Sequence, residues 1–261
     1  MAVLGRAAPT TSSASDDGGA IYIYRRAGGS WQEVNILRTN QTNYHAHTIA
    51  MSSDGTRIVM QGDTITYVFD VALDANGQPE WNGTWSPNTF NNGITSTYSY
   101  VEISSDGNVL VIGDSAYSNR QGRVRIYQLI NGIWTYRNEF FGNTSGSDYG
   151  NGIALSSNGD VIVVGAPRQA TWGRVHVYRR NGSNWASEQI LSLTSPTGSD
   201  YFGRHLSLNA AGDRIAIGAP RNTINQALLL SLITMAATGV KLRYCAPVMV
   251  LTMTSMAYKL N

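Results

Sequence analysis

Four groups of side chains in this sequence have the types and spacing that chemistry needs. His45 and His47 stand two apart, which on a strand puts both on one face and could begin a zinc site. No third ligand sits at a metal-like spacing, and matching Tyr44 to Tyr149 puts His45 where a later segment has Gly150. Asp63 and Asp114 each follow a glycine that ends an apolar run, and paired carboxylates beside a central channel could do acid and base work. Ala166 and Ala219 hold the matching places further on, so both acids read as turn residues that accept backbone N–H bonds. Trp31, Trp134 and Trp185 each come shortly after a hairpin glycine, where an indole could stack on a sugar. Their recurrence favours packing of one unit on the next. Arg25-Arg26 and Arg179-Arg180 are equivalent pairs that keep a hairpin solvated. On this reading no residue is catalytic, cofactor-binding or metal-binding, and no cofactor is expected.

Recurrence points to the elements that must carry these residues. Ser53-Asp54-Gly55, Ser105-Asp106-Gly107, Ser157-Asn158-Gly159 and Ala211-Gly212-Asp213 are one turn copied in tandem, their glycines 52, 52 and 53 residues apart. A constant period means one supersecondary unit repeated, each copy burying its apolar face against its neighbours. In the copy from Tyr98 to Phe141, residues 100–104 alternate as a strand, Gly107 supplies a turn with positive φ, and Asn108–Ile112 reads as a buried strand. Arg123–Tyr127 alternates as a third strand, Asn131-Gly132 is a hairpin signal, and Trp134–Phe140 is a fourth. Four antiparallel strands per unit is the content of one propeller blade. The expectation is an all-β propeller of about four and a half such repeats in an incomplete ring, the chain starting inside a repeat. The copy before Tyr98 is degraded, with an insertion rich in Asn, Gly and Pro from Leu73 to Asn92. The tract Asn82 to Tyr100 has the composition of an adaptable binding loop.

Asp200-Tyr201-Phe202-Gly203, Leu206-Ser-Leu and Ile215-Ala-Ile-Gly218-Ala219-Pro220 together resemble the FG-GAP repeat of integrin α-subunit propellers and their relatives. Asp148-Tyr149-Gly150 through Gly165-Ala166-Pro167 resembles it nearly as well, and the resemblance covers about residues 2–226. It implies a propeller, commonly of seven blades, that binds partners through loops on one face and is extracellular or at the cell surface. The calcium loop frequent in that family is not expected, because Asp54, Asp106, Asn158 and Asp213 offer one oxygen-bearing side chain per turn where calcium takes about six to eight oxygens.

Charge and composition narrow the function classes. The formal charge of +2 arises in the tail: residues 1–226 hold 16 Arg, no Lys and all 17 acids, so their net charge is 16 minus 17, or −1. No basic patch for nucleic acid is evident and no apolar run of about 18 residues spans a membrane. Asn40, Asn82, Asn143 and Asn181 are Asn-x-Ser/Thr acceptors. The expected function is non-enzymatic: an adhesion-like module whose loops recognise a protein or carbohydrate, with further blades of a longer parent chain. The alternative is a propeller hydrolase or lyase with a site at the channel end, or a structural component of a virion or envelope. An enzyme should place unlike His, Asp, Glu or Arg residues at equivalent channel-facing positions, whereas these copies mostly keep like residues.

Residues 1–226 form the expected array, and 227–261 an aberrant tail that is out of frame or poorly ordered. Both lysines, the only cysteine (Cys245) and four of the seven methionines fall there, with no Asp, Glu or Trp. Methionine has one codon, so a frame shift forces the residues that follow from it. Met235 before Ala236 must give Gly, Met253 before Thr254 Asp, and Met256 before Ala257 Gly. Residues 233–239 then allow Tyr-Asn-Gly-Ser-Asn-Trp, the hairpin of Asn181–Trp185, and those three forced residues match Gly182, Asp200 and Gly203 in offset. Met249 before Val250 forces a Gly where the earlier copy has Pro196, a mismatch.

Overall fold

The computed structural model describes residues 2–6, 20–38, 48–62, 65–91, 93–94, 99–194, 196, 198–220, 229–236 and 239–244. The chain folds into five antiparallel meanders. The first holds β1 (Ala2–Arg6), β2 (Ala20–Ala27) and β3 (Ser30–Arg38). The second holds β4 (Thr48–Met51), β5 (Arg57–Gln61), β6 (Ile65–Asp70) and β7 (Ser86–Asn91). The third holds β8 (Ser99–Ile103), β9 (Val109–Asp114), β10 (Arg123–Ile130) and β11 (Ile133–Phe141). The fourth is β12 (Gly152–Leu155), β13 (Val161–Ala166), β14 (Arg174–Asn181) and β15 (Asn184–Leu191). The fifth is β16 (His205–Leu208), β17 (Arg214–Gly218), β18 (Leu229–Ala236) and β19 (Gly239–Tyr244). This is the expected β-propeller architecture, with successive sheets packed as blades.

The apolar runs of the second strands follow from burial on both faces. Val109 and Val111 face one core while Leu110 and Ile112 face the next, and Ile162 and Val164 against Val161 and Val163 repeat the division one blade later. Four cores therefore fill the spaces between five sheets, each fully buried Val or Ile contributing about 1.5–3 kcal/mol. Trp185 enters such a core, its indole donating to Gly159 O at 2.9 Å, and Trp134 packs against the core before it with Arg57 over its ring. Trp31, with no sheet before its own, is 51% exposed.

The turns that gave the period also join the blades. Gly55, Gly107, Gly159 and Gly212 all have φ between 69° and 73°, a left-handed conformation that glycine adopts without steric penalty. Ser53 N donates to Ser105 O, Asp106 N to Ser157 O and Ser157 N to Ala210 O, so each tip is tied to the next. The oxygens of Asp54, Asp106 and Asn158 accept from backbone amides two residues on, at 3.0–3.1 Å, in the manner of Asx-turns.

Close glycine contacts set the spacing of the blades. A Cβ on Gly165 would stand 1.9 Å from Gly203 O of the next blade, and one on Gly113 would stand 2.3 Å from Gly150 O. In the same way the backbones of Tyr149 and Phe202 lie against Gly122 and Gly173. Asp148, 4% exposed, takes both Arg120 and Arg168. Phe-Gly, Gly-Ala-Pro and the preceding aspartate thus recur because one blade seats on another through them.

Several sequence expectations change on the structure. The tract from Asn82 to Tyr100 is not a free loop: Ser86–Asn91 is the outer strand of its blade, and Trp85 and Ile94 are buried. Asp114 does not accept turn amides as read but pairs with buried Arg123, whose guanidinium lies 4.1 Å over the Tyr117 ring. His45, His47, Asp63, Asn40 and Cys245 lie outside the described residues.

The backbone of Leu229–Ala236 pairs with β17 and that of Gly239–Tyr244 with β18, so part of the tail takes the places that β14 and β15 hold in the preceding sheet. The shifted reading puts its Asn-Gly-Ser-Asn-Trp hairpin in the same stretch. The frame slip is kept as a proposal. Sequencing the coding DNA is expected to show those codons in the shifted frame, and their absence or an immediate stop would remove the idea.

Between the third and fourth blades the phenols of Tyr149 and Tyr178 share a hydrogen bond of 2.6 Å, and His176 bonds Gln169 at 2.7 Å. Burial, with Arg174 nearby, pushes the His176 imidazole down to about 4 from 6.5. The unfolded chain therefore binds more protons between those values, so this contribution is full above about pH 6.5 and lost as pH falls through 4. A His176→Gln variant is expected to lose on the order of 3 kcal/mol of this pH-dependent stability, read as the difference between urea midpoints at pH 7 and pH 4.

Candidate active site

The first strand of each four-stranded blade is its innermost, and β4, β8, β12 and β16 contact one another in that order. They line a cavity of about 220 Å³ whose walls include Thr48, Tyr100, Glu102, Asn151, Arg204 and His205. Four successive blades supply these six side chains. The volume lies below the roughly 300–1,000 Å³ usual for drug-sized ligands, so the space suits a small polar molecule.

Counting back from the repeated glycine separates scaffold from site. Six residues before it stand Ile49, Val101, Ile153 and Leu206, alike and apolar. Five before it stand Ala50, Glu102, Ala154 and Ser207; seven before it, Thr48, Tyr100, Gly152 and His205; eight before it, His47, Ser99, Asn151 and Arg204. The cavity takes both kinds: Ile49, Val101, Ile153 and Leu206 keep one apolar type along its wall, whereas Thr48, Tyr100, Gly152 and His205 beside them differ in every copy. The expectation that the copies mostly keep like residues does not hold at these positions, which counting back from the turn glycine finds in the sequence alone.

Hydrogen bonds fix the inner strands across blade boundaries. The Thr48 hydroxyl donates to Ser99 O at 3.4 Å and accepts from Val101 N at 3.0 Å. Asn151 Nδ2 donates to the Tyr100 hydroxyl at 3.3 Å, linking the third and fourth blades. Glu102, half-buried two residues along the same strand, has its carboxyl pushed up to about 7 from 4.5 by burial away from water. A carboxyl at that value exchanges a proton near neutral pH, which is what a general base requires. Arg204 and His205, exposed on the fourth wall, add cationic and hydrogen-bonding capacity. Among the described residues no three His, Cys, Asp or Glu side chains gather as metal ligands.

No protein-family model matches the chain, and neither does any curated protein sequence. Solved structures do. A candidate 6-phosphogluconolactonase from Bacteroides fragilis superposes with a TM-score of 0.57 at 12% identity, over 90% of this chain and 67% of its own. A second, from Bacteroides uniformis, gives 0.58 at 13% identity over 87% and 63%. A protein from Lactobacillus plantarum gives 0.60 at 14% over 87% and 64%. The chain spans about two thirds of the length of these structures. At such identity the likeness is one of fold, and the fold is the β-propeller.

Two expectations are corrected by these findings. The FG-GAP and integrin resemblance is not upheld: no family model matches, and the structures reported above are two candidate 6-phosphogluconolactonases and a Lactobacillus plantarum protein. Its motifs have a physical source that any propeller with such tight blade contacts would share, namely the apposition of Gly165 on Gly203 and of Gly113 on Gly150. The expectation that the chain is not an enzyme is overturned by the two candidate lactonases among its structural neighbours. The premise behind it also weakens, since Thr48, Tyr100, Gly152 and His205, at equivalent places along the cavity, are unlike from copy to copy.

Proposed function

We propose that this chain is a propeller hydrolase that opens a small lactone in the central channel, with Glu102 as general base. The observation that carries the reading is Glu102 itself. It is the one acid among Ala50, Ala154 and Ser207 at equivalent positions, it lines the cavity, and burial holds its carboxyl near 7. The lactone class is taken from the names of the two Bacteroides structures and rests on likeness of fold.

In this reaction the Glu102 carboxylate accepts a proton from water, and the water oxygen attacks the lactone carbonyl carbon. The carbonyl π electrons move onto oxygen. As they return, the ring C–O bond breaks and the leaving alkoxide takes the proton held by Glu102. One water is consumed and a hydroxy acid forms, which releases a proton to solvent at neutral pH. The polar wall of Arg204 and His205 would orient hydroxyl or acidic groups of the substrate. The test is a pH-stat measurement with D-glucono-δ-lactone and its 6-phosphate. Acid release above the buffer rate is expected, rising through about pH 7, and failure to accelerate either lactone would overturn the reading.

A further inference from the structure

The geometry points to a second catalytic group in the channel: the Tyr100 hydroxyl, set by Asn151 of the next blade, is the donor that stabilises the oxyanion formed during attack. This rests on the hydrolase reading above.

A phenol has one proton and accepts with its lone pairs. Because Asn151 Nδ2 donates to the Tyr100 oxygen at 3.3 Å, that oxygen acts there as acceptor, and its own proton is left to point elsewhere. Tyr100 lines the cavity, and its ring is half-buried against the core between the third and fourth blades, which limits where the hydroxyl can go. An amide donor on a phenol oxygen also draws electron density from it and strengthens its O–H as a donor.

Position along the strand supports the pairing of roles. Tyr100 and Glu102 are two residues apart on β8, so both leave the same face of the strand, about 7 Å apart along it. That interval accommodates a water on the carboxylate and a carbonyl oxygen on the phenol, the two ends of one attack on an acyl carbon. The Tyr100–Asn151 pair occurs in this one place among the described copies: Thr48, Gly152 and His205 replace Tyr100 elsewhere, and Ser99 and Arg204 replace Asn151. The other copies make the same strands without a phenol or an amide at these places.

No bond changes at Tyr100 itself. Its proton is shared with the oxyanion as the carbonyl π bond opens and returns to the phenol as the ring C–O bond breaks. Asn151 is a positioning residue.

The test combines two readouts on wild type, Tyr100→Phe, Asn151→Ala and Glu102→Gln. One is hydrolysis of D-glucono-δ-lactone. The other is calorimetric binding of a six-membered cyclic phosphonate monoester, whose anionic oxygen imitates the tetrahedral oxyanion. Tyr100→Phe is expected to lower kcat by about 10²–10³-fold with KM and the rise near pH 7 unchanged. The same variant should bind the phosphonate at least about tenfold more weakly, the change that about 1.4 kcal/mol represents. Asn151→Ala should lower kcat less, again without moving KM. Glu102→Gln should lose hydrolysis yet bind the phosphonate as well or better, because a like charge is removed. Wild type that binds the phosphonate through Tyr100 without opening lactones would sink the hydrolase reading and the catalytic role with it, leaving Tyr100 as an anion-binding group only. Tyr100→Phe that hydrolyses and binds as wild type does would overturn the inference alone. Absence of both activities in wild type would overturn both.

Discussion

Replacing Glu102 with Gln is expected to reduce lactone hydrolysis by about 10²–10⁴-fold and to flatten the rise in kcat/KM near pH 7. Both parts follow from one property: burial favours the neutral carboxyl up to about pH 7, and only the carboxylate can take the proton from water. Stability should move in the opposite sense. The folded-state value is raised above the ordinary 4.5, so between 4.5 and 7 the native chain binds more protons than the unfolded chain, and its stability falls as pH rises through that window. Glu102→Gln abolishes that fall. At pH 8 the variant should be more stable by on the order of 2–3 kcal/mol, and at pH 4 little different. His176 contributes a change of opposite sign over nearly the same window. In the wild type the two partly offset, and in Glu102→Gln the rise due to His176 should appear undiluted. Urea unfolding of both variants across pH 4–8 measures this, and parallel curves for wild type and Glu102→Gln would contradict the burial of the carboxyl.

Gly165→Ala should be among the most damaging single substitutions in the chain. The added methyl would stand 1.9 Å from Gly203 O and 2.9 Å from Gly203 C, which are backbone atoms with no rotamer to escape into. Separating the blades enough to admit it would open the core between them that holds Val163 and Ile217. A loss above about 3 kcal/mol is expected, in the range that overpacked cores and broken networks reach. Gly132→Ala makes the control. Its Cβ meets nothing within 4 Å, so that variant reports only the conformational penalty of φ 80°, about 1 kcal/mol. Thermal unfolding of the two variants compares them, and equal losses would mean that the blades are not held at the distance described.

Much of this architecture was legible because it repeats. The turn glycines, the apolar second strands and the Asn131-Gly132 hairpin are local signals whose physics lies within a few residues. Ser86–Asn91 was read as loop because its Pro and Asn content argues against a strand, yet its register with Ile65–Asp70 makes it the outer strand. The family resemblance went astray for an instructive reason. A glycine kept for blade contact and a glycine kept by descent look alike in one sequence, and only the atoms opposite Gly165 separate the two. The site was the least legible part. Glu102 sits alone between Val101 and Ile103 with no motif around it, and its partners Asn151 and Arg204 stand one and two repeats further on.

The dispersal of the cavity walls over four blades has a bearing on how such a chain can change. Each blade carries its structural obligations in the second strand and the turn, and the places of Thr48, Tyr100, Gly152 and His205 along the cavity hold a different side chain in every copy. A substitution at one of those places leaves three walls intact and changes one contact with whatever occupies the middle. New specificities can then be tried a wall at a time, while the turn ties and glycine contacts that seat the blades stay as they are.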